Sequence, residues 1–183
     1  LPCTWRSPSS LVQLNPSYFS PGHYRLFATI SHDPRWTALL MSGYAMLDQV
    51  GTRFARQQGV GLLPDWVGLT PQGTFEPVPG TSHHATWDAI RLPWRVGLDA
   101  TWFQTPEAIR YLTRLGTFYV TEVGRRDGKL PMAYNYAGTP LEPFNQPAAP
   151  FMALPAITKA NPHIGLTLKQ TLLATANPQT HLF

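Results

Sequence analysis

Trp87-Asp88-Ala89-Ile90-Arg91-Leu92-Pro93-Trp94-Arg95 gathers a carboxylate, two guanidiniums and two indoles within about two helical turns. No other stretch of the chain concentrates as much chemistry. Pro93 cannot lie deep in a helix, because it has no N–H to bond back to Ala89, but a first helical turn accepts it. A helix is therefore expected to begin near Asp88, with Asp88 and Arg91 at its open, positive end. The helix dipole and Arg91 three residues on both favour an ionised carboxylate there. An ionised, oriented Asp beside an indole suits a general base in a sugar-binding cleft. The alternative is that Asp88 is only an N-cap and Arg91 its salt-bridge partner. Farther along, Trp94, Leu98 and Trp102 recur at four-residue spacing and predict an apolar stripe facing a core.

Other aromatic residues stand next to expected loop ends rather than in helical stripes: Tyr18, Trp66, Trp87, Tyr134 and Tyr136. Such rings stack on the C–H faces of pyranoses while nearby Asp, Asn and Arg take the hydroxyls, a combination that suits a polysaccharide groove. Partly buried packing is the competing role for each of them. Among the carboxylates, Asp65 and Asp88 sit beside Trp, whereas Asp99, Glu107 and Glu122 fall on helices where solvated faces or caps account for them. For Asp99 the simplest role is an intrahelical pair with Arg95, four residues before it. Adjacent His83 and His84 diverge as side chains and make a poor metal motif, so solvent exposure or hydrogen bonding is expected of them. No metal and no cofactor is expected. The chain contains no Gly-Xaa-Ser-Xaa-Gly elbow, no phosphate-cradling Gly-rich loop and no His-Glu-Xaa-Xaa-His helix.

The elements that must position these groups are mostly helical. Ser20-Pro21, Asp33-Pro34 and Thr105-Pro106 repeat one device, a capping side chain followed by proline at the first helical position. They predict helices over residues 21–30, 34–56 and from 106 to about Gly124, the second carrying Trp36, Leu40, Tyr44, Leu47 and Phe54 at helical spacing. The central helix is expected to close near Phe103. A segment opened by Pro147 must be shortened or kinked by Pro155, and Asn161-Pro162 starts a last helix. Residues 1–19 read as an extended approach, 62–82 as a long loop of the kind that is usually functional, and 125–144 as loop with a short hairpin about Met132 to Tyr136. The sum is about six helices and no convincing β-sheet.

Length and composition bound the alternatives. A chain of 183 residues that is 43% hydrophobic is expected to fold as a single globular domain, 1–183. Only 13% of residues are charged, while 12% are aromatic with six Trp, so the surface is polar through amides, hydroxyls and ring edges. The fourteen Lys and Arg are scattered, with Arg125-Arg126 the one adjacent basic pair, so no nucleic acid is expected as a partner. A single cysteine, Cys3, allows neither an internal disulfide nor a Cys-based zinc site. No apolar run approaches the roughly eighteen residues of a membrane span. The chain lacks an initiator Met and ends shortly after an apolar helix, which suggests a piece of something longer.

Four motifs occur in a telling order. They are Asn15-Pro16-Ser17-Tyr18-Phe19 leading into the first helix, Asp33-Pro34-Arg35-Trp36, Gly61-Leu62-Leu63-Pro64-Asp65-Trp66, and the run from Trp87 to Phe103. In order and spacing they resemble the latter two-thirds of glycoside hydrolase family 8, with residues 147–157 matching more loosely. That family includes bacterial endo-β-1,4-glucanases, the cellulase of the cellulose-synthesis apparatus, chitosanases and xylan-acting members. The resemblance implies an all-α (α/α)6 toroid, of which this chain holds the central and C-terminal portion, with a β-1,4-linked polysaccharide, a glucan first among the candidates, lying along a groove of inter-helix loops. It implies an inverting mechanism, in which an acid protonates the leaving oxygen and a carboxylate about 6.5 to 9.5 Å away activates water. Asp88 matches the family's proposed base, Arg91 the arginine beside it, and Tyr18 a sugar-contacting tyrosine. With Trp66, Trp87 and Tyr134 as further substrate contacts, these are the candidate site residues. The resemblance also implies a secreted or periplasmic protein and makes a cellulose-synthesis apparatus a candidate partner. Two departures stand out. Trp87 occupies a position where the family commonly has Tyr, and the family's general-acid Glu and a further active-site Asp belong to a segment that this sequence does not contain. The chain by itself is accordingly expected to be inactive. The rival from another class is a non-catalytic polysaccharide-binding or scaffold protein of the same fold.

Overall fold

Proline in the first turn starts most of the helices in the computed structural model, which describes residues 11–54, 60–81, 84–142 and 147–175; of the side chains expected to cap, Asp33 and Asn161 bond a helix N–H and Ser20 and Thr105 do not. Helix α1 (Pro21–Ser31) opens with proline in its first turn and ends at His32, whose left-handed backbone (φ 54°) lets its N–H close on Ala28 O. Asp33 then accepts the Arg35 N–H at 2.9 Å at the head of α2 (Pro34–Phe54). The remaining helices are α3 (Leu92–Trp102), α4 (Pro106–Arg125), α5 (Ala148–Ala160) and α6 (Pro162–Ala174), the last capped by Asn161 Oδ1 on the Ile164 N–H. These bounds agree closely with the helices expected from the sequence. Residues 1–10, with Cys3, and His83 lie outside the described residues.

The six helices pair in sequence, because the links α1 to α2 (His32, Asp33), α3 to α4 (103–105) and α5 to α6 (Asn161) are too short for anything but a hairpin. Helices α1, α3 and α5 lie side by side, while α2 packs on α1, α4 on both α3 and α5, and α6 on α5. This is an arc of three helical hairpins with one row of helices shared along its length, the arrangement of an (α/α) toroid. The long connections all precede α1, α3 and α5, so they gather at one end of the arc, where those helices present their positive N-termini. Large apolar side chains stay exposed on α1 (Leu26, Phe27, Ile30) and α6 (Leu166, Leu173).

Close packing depends on several glycines, of which Gly43 and Gly116 have the tightest surroundings. A Cβ at Gly43 would lie 2.1 Å from the Phe19 ring, and one at Gly116 would lie 2.0 Å from the Ala156 carbonyl oxygen, so α4 and α5 touch backbone to backbone there. Around these contacts α4 buries Ala108, Tyr111, Leu112, Leu115, Tyr119 and Val123 on one face.

Three expectations fail, and a fourth fails in part. A three-stranded antiparallel sheet exists among the loops, with β1 (Val12–Leu14), β2 (Val67–Leu69) and β3 (Phe75–Glu76) in that order and Val12 opposite Leu69. Strands of two or three residues are too short to display a period of two. Where a hairpin was expected, Tyr134 forms single antiparallel bridges to Ala85 and Pro140 instead. In α3 the stripe of Trp94, Leu98 and Trp102 is not the core face: Trp94 and Trp102 are exposed, and Leu92, Val96, Gly97, Asp99 and Ala100 are buried. Small Gly97 and Ala100 let neighbouring helices approach that side, and Pro155 fills the space over Gly97, where a Cβ would meet its ring at 2.6 Å. Helix α5 runs on through Pro155 to Ala160 rather than ending early.

Burial raises the phenols of Tyr44, Tyr111, Tyr119 and Tyr134 above their ordinary value near 10. A group whose folded pKa is raised contributes stability that is intact below the unfolded value and lost as pH climbs toward the folded one. Unfolding is therefore expected to set in above about pH 10, with the absorbance of these four tyrosinates rising in a single cooperative step together with the loss of helical circular dichroism. Phenols that titrate gradually at constant helicity would contradict this burial.

Candidate active site

The sheet and the short helical turns beside it bring two distant stretches together. Strand β1 ends at Leu14, and Asn15 then caps a 3-10 turn, Pro16–Tyr18, by accepting the Ser17 N–H at 3.0 Å on its Oδ1. A second 3-10 turn, Ala89–Arg91, leads directly into α3. Between them Asn15 Nδ2 donates 2.8 Å to Asp88 Oδ2, across 73 residues of sequence. Arg91 donates to the other oxygen, Asp88 Oδ1. The carboxylate is thus held from two sides by N–H donors, yet the Asp88 side chain stays 28% exposed.

The competing role for Asp88 as an N-cap does not survive. Its side chain makes no capping bond. Capping falls to Asp65, whose Oδ1 reaches across from the long loop to accept the N–H groups of Thr86 and Ala89, both at 2.9 Å, while Oδ2 takes the Thr86 hydroxyl. Asp65 is only 4% exposed, its oxygens are consumed by this turn, and it is a structural tether. Asp88 is left with a fixed orientation and an open face. Sequence patterning could not assign these roles, since both residues are Asp beside Trp.

The other candidates separate into surface and core. Trp87 is 55% exposed and Tyr18 is 38% exposed, and Tyr18 meets Trp66 edge to face at 6.3 Å. The Tyr24 hydroxyl steadies this turn by donating to Tyr18 O at 3.1 Å. Trp87 and Tyr18 can therefore offer ring surface to a ligand, with Trp66 partly exposed behind Tyr18. Tyr134 cannot. At 1% exposure its ring sits in the core against Phe118, 5.2 Å away and perpendicular, because its backbone bridges to Ala85 and Pro140 turn the side chain inward.

Charges around the site also differ from expectation. Arg95 does not pair with Asp99. Asp99 is fully buried and accepts from Arg25 Nε (2.7 Å), the Tyr44 hydroxyl (2.6 Å) and the Thr105 hydroxyl (2.7 Å), tying α3 to α1, to α2 and to the start of α4. Glu122 pairs with Arg126 and Arg125 at 2.9 and 3.4 Å, and Glu107 lies in the first turn of α4. Arg95 is instead half-buried one turn beyond Arg91, and burial, followed by the like charge of Arg91, pulls its guanidinium below arginine's ordinary range. Sequence patterning does not single out Asn15 as a site residue; its signal is the Asn-Pro pair, which marks a capped turn but says nothing of a partner 73 residues away.

His84 stands 6.3 Å from the Tyr136 ring. Among the described residues, no three of His, Cys, Asp or Glu come together as a metal site, and no helix is long and apolar enough to cross a membrane.

The helical arc that carries this site has counterparts among known proteins. Endoglucanase 2 of Ruminiclostridium josui is 34% identical over 105 residues, covering 57% of this chain and 21% of that protein. Endoglucanase A of Acetivibrio thermocellus is 33% identical over 108 residues, 59% of this chain and 21% of its own length. Among solved structures, the endo-1,4-D-glucanase of Vibrio fischeri ES114 superposes with a TM-score of 0.77 at 17% identity, over 98% of this chain and 49% of that one. The beta-1,3-1,4-glucanase of Paenibacillus sp. X4 gives 0.76 at 18% identity, over 90% and 44%. The matched region spans about a fifth of the curated relatives and under half of these two solved chains. The family profile described as glycosyl hydrolases family 8 matches residues 3–163. With that match over most of its length, on a helical arc of the same architecture, the chain belongs to glycosyl hydrolase family 8.

Proposed function

We propose that this chain is the base-bearing portion of an endo-acting, inverting glycoside hydrolase that cleaves a β-1,4-linked polysaccharide, most simply a glucan. The observation that carries this reading is Asp88, held by Asn15 and Arg91 with one face open to solvent. In the proposed reaction Asp88 removes a proton from a water molecule as the water oxygen attacks the anomeric carbon. The bond from that carbon to the leaving oxygen breaks, and the oxygen takes a proton from a carboxylic acid on the opposite face of the sugar. Arg91 orients Asp88, and the faces of Trp87 and Tyr18 receive the sugar rings.

The acid is proposed to come from sequence beyond these 183 residues. Of the other carboxylates in this chain, Asp65 and Asp99 are buried in structural bonds, while Asp33, Glu76 and Glu122 are paired with arginines. The chain by itself is then expected to hydrolyse polymer very slowly, since general acid catalysis contributes about two to four orders of magnitude. A glucan substrate is supported by relatives named as endoglucanases. A polymer too large to cross a membrane also favours a secreted or periplasmic protein, and a cellulose-synthesis apparatus is a partner in keeping with that placement.

Incubating the complete protein that carries this chain with β-1,4-glucan, chitosan and xylan tests the proposal. Reducing ends are expected to appear fastest from glucan, with the α-anomer formed first in the proton NMR spectrum. First formation of the β-anomer would exclude inversion. Binding to the polymers without any hydrolysis would favour a non-catalytic polysaccharide-binding protein.

A further inference from the structure

Asn15 is buried among groups that leave its amide no freedom. Its Oδ1 is committed to the Ser17 N–H, a backbone donor that cannot reverse its role. The amide's other end, Nδ2, must therefore point its hydrogens outward, and it meets Asp88 Oδ2 at 2.8 Å. Asn15 is only 1% exposed, and Pro16 and Ser17 beside it are buried, so the donor is held rigidly. An amide also does not titrate. It offers Asp88 the same N–H at every pH, and that bond favours the ionised carboxylate.

From this geometry we infer that Asn15 is a positioning residue for the reaction: it holds Asp88 in the orientation and charge state in which it accepts a proton from water. The inference rests on the proposed role of Asp88 as general base. Arg91 does part of the same work from the other oxygen, but it is itself partly exposed and reaches in on a flexible stem. The other charged or titratable groups near Asp88 are Arg95 on α3, Asp65 behind the Ala89 N–H, and the phenols of Tyr18 and Tyr24, which lie within electrostatic reach of Arg95.

The two roles of Asn15, turn cap and donor to Asp88, separate in one substitution. Asn15→Asp keeps the shape and the acceptor for the Ser17 N–H, since Asp caps as well as Asn. It replaces the donor with a second carboxylate beside Asp88. Two carboxylates that close share a proton, and their titrations split by about one unit or more.

In the complete protein, the acid limb of the kcat/KM pH profile is therefore expected to move up by about one pH unit or more in Asn15→Asp, with activity recovering as pH rises. A profile that keeps its position and only loses height would overturn the inference. Should Asn15→Asp fold poorly, the double variant Asn15→Asp with Asp88→Asn decides, because it restores one donor and one acceptor with their roles exchanged. Its melting temperature is expected to return toward that of the unaltered protein; no recovery would also overturn the inference. An active Asp88→Asn protein would instead remove the base assignment beneath it, and is distinguishable for that reason.

Discussion

Asp88→Asn in the complete protein is expected to lower kcat on β-glucan by about two to four orders of magnitude, with KM changed little. The amide matches the carboxylate in shape, so ring stacking on Trp87 and Tyr18 survives, but it cannot accept a proton from water. The local geometry adds a smaller cost. Asp88 now receives one donor on each oxygen, from Asn15 and from Arg91. Whichever way an Asn at this position turned, its own N–H group would face one of those donors, which would lose its acceptor. A melting-temperature decrease of a few degrees is expected beside the loss of turnover, about 2–4 °C for each kcal/mol in a domain of this size. Single-turnover assays with binding isotherms check both parts, and turnover within a few-fold of the unaltered enzyme would refute the base assignment.

The largest expected effect on stability lies elsewhere, at Asp99. Replacing it by Ala strands the Arg25 guanidinium and the hydroxyls of Tyr44 and Thr105 in one step. Removing one partner from a buried ion pair costs about 3–5 kcal/mol. Arg25 is partly exposed and water can recover some of that, so the lower end of the range is the better expectation. The melting temperature should then fall by on the order of 10 °C. Asp99→Asn, which keeps an acceptor for one hydroxyl, should fall between. Since Asp99 ties α3 to α1 and α2, the Ala variant should also loosen Arg95 on that helix and Arg91 in the turn that leads into it, and weaken substrate turnover. A melting temperature within two degrees of the original would show that these bonds contribute little.

Much of this arrangement is legible in the chain itself. Helix starts are determined within a few residues, because a proline without an N–H acts on the turn that contains it; Ser20-Pro21, Asp33-Pro34, Thr105-Pro106 and Asn161-Pro162 all open helices, although only Asp33 and Asn161 of the four preceding side chains bond a helix N–H. The Asp88–Arg91 pair is equally local, since residues three apart on a helical turn face each other. Local patterns cannot say which of several apolar faces is buried, and α3 turns inward on Gly97 and Ala100 rather than on its tryptophans. The very short strands escape for a similar reason: two or three residues carry no period, and their existence depends on what lies opposite.

The site divides along the same line. By its sequence alone the chain determined the Asp88–Arg91 pair and the helices around it, and its resemblance to a known family added the helical toroid that carries them. Only the folded structure decided which Asp caps and which stays open, that Asn15 is the second donor, and that Tyr134 faces the core while Trp87 faces solvent. The physical reason is that caps and proline turns are short-range interactions between neighbours in the chain. The bonds from Asp65 to Ala89 and from Asn15 to Asp88 close loops of 24 and 73 residues, and such contacts form only when packing elsewhere has already brought the loop ends together.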